Sequence, residues 1–260
     1  MQLSMFNGAN VRISPSAIIG HNVRIGDNTV IYDNVTVGDD TTICNDCVLG
    51  EPLNDYYAHP DTYENPPLVI GAGSLVRSHA ILYAGSRIGD HFQCGHRVTI
   101  REGMRIGSHC RVGTLCDLQG HAEMGDYTSL HSNVHIGQRS TIGNYCWIFP
   151  YTVLINDPTP PSHTLIGPTV GDYSIVAAGC LLMPGVKVGT HSLVGAHSLV
   201  ARDIPDYGVA VNNPAKVVRD VHEVTDPDTG APHYPWPHHF DRGMPWEGMD
   251  YEAWLKQHHK

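Results

Sequence analysis

The chain has 260 residues, 41% of them hydrophobic and 16% charged, with a formal net charge of -10 at pH 7. That length suits one large repeat domain, and the acidic balance argues against a nucleic-acid partner, which would want a basic face. No apolar run is long enough to cross a bilayer and no basic-plus-apolar segment opens the chain, so a soluble, cytoplasmic protein without membrane insertion is expected.

In chain order, residues 1–10 lead in, and a six-residue period then takes hold. Its apolar members are Ile13, Ile19, Ile25, Ile31, Val37, Ile43 and Leu49, and Asn and Asp crowd the corners at Asp27, Asn28, Asp33, Asn34, Asp39 and Asp40. These residue types tolerate sharp turns and the left-handed backbone region. The period fails over residues 51–67, a Pro-, Asn-, Asp- and Tyr-rich stretch that reads as an external loop.

The longest run follows, from Ile70 through Val76, Leu82 and Ile88 to Leu154, with no polar member. Four residues after each member stands something small or apolar, Phe92 and Met104 being the bulky exceptions. Neither a helix nor an alternating strand has this period. It predicts an all-β solenoid in which each hexad is a short strand and a corner, and three hexads make a triangular coil. A second loop is expected over 155–167. The period resumes from Val170 to Val200, and the segment from 203 to 221 is placed to cap the last open edge.

The organisation expected is therefore a solenoid over 1–210 and a cap with an extended arm over 211–260. The arm holds Trp236, Trp246 and Trp254, too many tryptophans to leave in water, and Asp250 is placed to cap a short closing helix. Of the seven cysteines, Cys47, Cys94, Cys110, Cys116, Cys146 and Cys180 occupy interior hexad positions. They read as reduced structural thiols. Cys44 and Cys47 resemble half a zinc motif, but no second pair follows, so no metal is expected.

Eighteen residues per coil puts positions n and n+18 in register, about 4.8 Å apart. The corner after Leu118 then stacks Glu102, His121, Gln138, Arg139, Asn156 and Asp157, and both loops leave from it. His121 is suited to take a proton from an attacking amine or hydroxyl, and Asp157 to orient it or hold the nucleophile, if the second loop bends down. Asn156 completes the candidate catalytic set. Glu102, Gln138 and Arg139, with His131 and Asn133, are the candidate substrate-binding residues. His91, His109, Tyr127 and Tyr145 share another corner and read as a stacked packing ladder, while His131 and His135 are expected on a flat face of the kind that meets neighbours.

Over about residues 11–220 these features resemble the hexapeptide-repeat acyltransferases. The segment SNVHIGQRSTIGNYCWIFPYTVLINDPTPPS at 132–162 looks like the group that N-acylates nucleotide-linked amino sugars. The resemblance implies a left-handed parallel β-helix, a homotrimer, and transfer of an acyl group, most often acetyl from acetyl-CoA, to a sugar amine for surface-glycan or lipopolysaccharide synthesis. It places the motif asparagine on Asn156. It also implies a CoA groove between subunits, with the pantetheine against Ala177, Ala178, Gly179, Gly195 and Ala196, and the phosphates near Arg202 and Lys216, with Lys187 and Arg219. Three other readings stand beside it. One is O-acetylation of a sugar or antibiotic. Another is a γ-type carbonic anhydrase, for which the spacing of His131 and His135 does not fit. The third is a non-enzymatic scaffold, which gives no reason for both loops to share one edge.

Overall fold

The computed structural model describes residues 4–258. Its short strands stack into three sheets of ten, nine and eleven strands. Consecutive hexads feed the first, second and third sheet in turn, as Arg12–Ile13, Ile18–Ile19 and Arg24–Ile25 do. The next strand, Val30–Ile31, returns to the first sheet and pairs in parallel with Arg12–Ile13. The expected n to n+18 register is the one observed: Leu118 pairs with Ile136, Met124 with Ile142 and Leu130 with Ile148. The fold is an all-β parallel β-helix with two external loops and a C-terminal extension.

The tube is filled by the hexad residues, and every member of the run from Ile70 to Leu154 is buried. Phe92 and Met104, the oversized members of the small-residue position, are 0% and 1% exposed. The column explains how. Phe92 lies between Ser74 and Cys110 of the adjacent coils, and Met104 between Ser86 and Ala122, so each large side chain is offset by small ones above and below. All seven cysteines are free and buried, and burial pushes the thiols of Cys94, Cys110 and Cys146 up to about 12.

The corners are built as the Asn and Asp content suggested. Asn22, Asn28, Asn34, Asp40 and Asp46 have positive φ. Their side chains bond from coil to coil, Asn10 to Asn28 at 3.0 Å and Asn28 to Asp46 at 3.0 Å. Later coils place His, Tyr, Arg and Leu in the same conformation. Stacked rings replace the amide ladder there: His91, His109, Tyr127, Tyr145, Tyr173, His191 and Tyr207 succeed one another with centroids 4.4–5.5 Å apart. The ladder runs well beyond the four residues expected.

At the C-terminal end, Gly208–Val211 adds a parallel strand to the third sheet, and Lys216–Asp220 folds back on it antiparallel. This hairpin straddles residue 210, so the solenoid's sheet continues to 220 and the arm proper begins after it. The arm lays Trp236, Met244, Trp246, Tyr251 and Trp254 against Tyr127, Tyr145, Trp147, Tyr173 and Ile175 of the solenoid. The Trp236 indole N–H donates to the Tyr173 carbonyl at 2.7 Å, satisfying its polar edge as burial of a tryptophan demands. Asp250 accepts from the Ala253 N–H at 3.1 Å and opens the helix Tyr251–His258.

Candidate functional site

Both loops leave the ridge between the first and second sheets. The first departs from Val48–Glu51 and returns at Leu68–Ile70; the second departs from Val153–Leu154 and returns at Thr169–Val170. The first loop contains a short helix, Asp55–Ala58, and is clamped down by Asn65. That buried amide donates to the carbonyls of Gly50 at 2.8 Å and Asp33 at 3.1 Å, and accepts from the Tyr63 hydroxyl at 2.8 Å. Between this loop and the second sheet lies a cleft of about 560 Å³, lined by Pro66, Pro67, Arg87, Met104, Arg105, His121 and Glu123.

His121 lines this cleft from the ridge. Its backbone has φ 47°, and its ring lies over Gly103, where an added Cβ would stand 2.5 Å from Nδ1. The same ring-over-glycine packing recurs at His91 over Gly73 and His197 over Gly179, so it is a general corner device. What separates His121 is its position in the cleft. Among the described residues nothing hydrogen-bonds to its ring.

Around it, Glu102 is held by Arg101 through Nε–Oε2 at 3.1 Å and Nη2–Oε1 at 3.0 Å. Gln138 donates to the Gln119 carbonyl at 3.3 Å, Arg139 is exposed, and Asn156 packs against Gly137. The structure corrects the role expected of Asp157. Its carboxylate accepts from the Thr159 N–H at 3.0 Å, the Ser162 N–H at 2.8 Å and the Ser162 hydroxyl at 2.7 Å. The Ser162 hydroxyl, first among these bonds, holds its pKa below the usual carboxylate range. It is the hub of its own loop and makes no bond to His121.

A second correction concerns His131, expected on a flat face. With Asn133 it occupies the ridge between the third and first sheets, away from His121. Among the candidate donor-binding residues, Ala177, Ala178 and Gly179 stack on that same ridge with Gly195 and Ala196, one coil on. Lys216 lies across from Val211, which packs against Gly195, so it stands beside this stack. Arg202 follows Leu199–Val200 of the first sheet and stands on the loop-bearing ridge instead. The N–H groups of Ala177, Gly179 and Gly195 are taken by bonds to Val194, Pro150 and Ala210.

One pair escaped the sequence reading. On the outer face of the first sheet, His135 Nδ1 lies 3.2 Å from Asp117 Oδ2, and the His135 bond is the main influence lowering the Asp117 pKa. The Gln119 amide also donates to Asp117 at 2.5 Å. The n to n+18 rule predicts this pair when applied to outward strand positions as well as to corners.

The model of the family described as bacterial transferase hexapeptide (six repeats) matches residues 8–39 and 16–51. In these N-terminal coils the chain is similar to that family. It is 31% identical over 129 residues to an acyl-acyl-carrier-protein–UDP-N-acetylglucosamine O-acyltransferase of Ectopseudomonas mendocina, covering 50% of this chain and 42% of that protein. It is 30% identical over 168 residues to the bifunctional protein GlmU of Gloeobacter violaceus, covering 64% of this chain and 33% of that one. The chain thus spans less than half the length of these curated relatives. Among solved structures it is similar to LpxA, a UDP-N-acetylglucosamine acyltransferase of Bacteroides fragilis, with a TM-score of 0.47, 22% identity, and 84% and 74% of the two chains covered.

Proposed function

We propose that this hexapeptide-repeat protein is an acyltransferase that moves an acyl group, acetyl from acetyl-CoA, to the amine of a nucleotide-linked amino sugar, in the cytoplasm and in the service of surface-glycan synthesis. The observation that carries the reading is the convergence of both loops and His121 on one ridge beside a cleft large enough for a sugar. In this reading His121 accepts a proton as the nucleophile attacks the thioester carbonyl. The tetrahedral intermediate then collapses, the C–S bond breaks, and the thiolate leaves to be protonated as CoA thiol. Asn156 is the polar contact that orients the acceptor.

The small-residue stack proposed for the pantetheine and the ridge proposed for the acceptor flank opposite edges of the first sheet. Donor and acceptor therefore meet only where two subunits meet, which supports a homotrimer. The first sheet has the face for it. Its outward residues include Val30, Val48, Ile81, Val153, Leu181 and Leu199, whereas the second sheet shows Arg87, Arg105, Glu123 and Lys187 to solvent.

Two observations favour a second reading within the same chemistry. The E. mendocina relative is named as an O-acyltransferase, and His135 with Asp117 forms a ready-made base pair on the first sheet. Hydroxyl acylation with His135 as the base follows from these. A thiol-release assay with acetyl-CoA, run against matched nucleotide-linked amino and hydroxy sugars, tests both. Release only with amino sugars supports the first reading, release only with hydroxy sugars the second, and release with neither removes both.

A further inference from the structure

The ridge that bears the loops joins the first and second sheets; a different cleft lies on the third. Its floor is the outward row of successive coils, Gln93, Arg111, Ser129 and Trp147, and its overhang is the arm at Phe240 and Arg242. Two cavities of about 370 and 340 Å³ share His131, Trp147 and Arg242 and so run into each other. The two ends differ in chemistry. One is aromatic, walled by Trp147, Phe149, Trp236 and Phe240. The other is cationic, with Arg77, Arg111 and Arg242.

No carboxylate lines either cavity, although the chain carries a net charge of -10. Among the described residues none of the three arginines forms an ion pair. The arm is shaped around one of them. Gly243 has φ +75°, and a Cβ there would stand 2.7 Å from Arg111 Nη2. Arg242 is held 5.6 Å above the Phe240 ring. Guanidinium groups left without carboxylates match phosphate oxygens, which they bind as bidentate forks. The adjoining aromatic slot suits a planar heterocycle, which stacks on rings whatever its edge pattern.

We propose that the cleft between the arm and the third sheet is a nucleotide-binding site, in which Arg77, Arg111 and Arg242 hold the phosphates and the aromatic end takes the base. The nucleotide belongs either to the acyl acceptor, as a pyrimidine diphosphate, or to the acyl donor, as the adenosine phosphate of CoA. The site is distinct from the loop-bearing cleft in the same chain, and its occupation needs no acyl chemistry.

The test is calorimetric titration of the full chain with UDP, ADP, CoA and inorganic phosphate, repeated with Arg111→Gln combined with Arg242→Gln, and with Phe240→Leu. Saturable binding of UDP, or of ADP and CoA, is expected. It should weaken at least tenfold in the arginine variant and severalfold in Phe240→Leu, with the melting temperature held. UDP alone assigns the acceptor as the source; ADP and CoA alone assign the donor. The proposal is overturned by an absence of binding, by affinities unchanged in the arginine variant, or by inorganic phosphate binding as tightly as the nucleotides. Because binding is read without turnover, failure here leaves the thiol-release result intact, and the reverse also holds.

Discussion

At the scale of single residues, the solenoid makes large effects local. Phe92 fills the tube between Ser74 and Cys110, so Phe92→Ala should cost about 3–5 kcal/mol in denaturant unfolding, the usual penalty for an uncollapsed aromatic cavity. Corner residues do not fill the tube, and the opposite outcome is expected of His121→Ala: an unchanged melting temperature and turnover lowered about 10²–10⁴-fold. The same loss from His135→Ala, with His121→Ala active, would move the base to the Asp117 pair. Gly103→Ala acts on His121 indirectly. The new methyl meets the imidazole at 2.5 Å in a backbone of φ +70°, so turnover should fall without loss of the protein's secondary structure by circular dichroism. His121 was legible in the sequence because coil arithmetic alone brings it to the ridge. The loop-internal bonds of Asp157 were not, because a loop outside the period carries no ruler.

At the scale of elements, the ring ladder and the arm stabilise each other. His191 is stacked between Tyr173 and Tyr207, and its buried Nδ1 has no partner among the described residues. Burial is the main cause that lowers its pKa; His238 and His222 add to this and Asp172 and Asp206 oppose it. The folded value lies below the unfolded one of about 6.5, so the unfolded chain binds more protons as pH falls past that value. Stability is therefore full above about pH 6.5 and declines on acidification until the folded value is passed. Melts from pH 8 to 5 should show this, and His191→Phe, which keeps the stack without the orphaned nitrogen, should flatten the slope. Trp246 is 1% exposed at the centre of the arm. Trp246→Ala is expected to release the arm to limited proteolysis while the solenoid stays intact. The arm's three tryptophans and the Asp250 cap announced a packed element, yet nothing in the sequence named the third sheet as the surface it covers.

At the scale of the molecule, the three faces differ: the third sheet takes the arm, the second carries outward arginines and a glutamate, and the first presents aliphatic side chains on either side of the Asp117–His135 pair. For the proposed homotrimer, Leu181→Lys on that first face should give monomers in light scattering and abolish transfer even with His121 and His135 present, since neither ridge then meets a neighbour's. Retained activity in a monomer would refute the two-subunit arrangement. The sequence by itself determined the coil, its corners, the sites of both excursions and the residues buried in the tube from Ile31 to Val200, though not Ile13, which the open first coil leaves 43% exposed. A fixed six-residue period is a local code, and parallel stacking repeats it without reference to distant contacts. Only the tertiary structure decided where the arm lies, that Asp157 serves its own loop, and that Arg242 of the arm joins Arg77 and Arg111 of the solenoid. Those outcomes depend on side chains from outside the period meeting across the surface, and no spacing along the chain encodes such meetings.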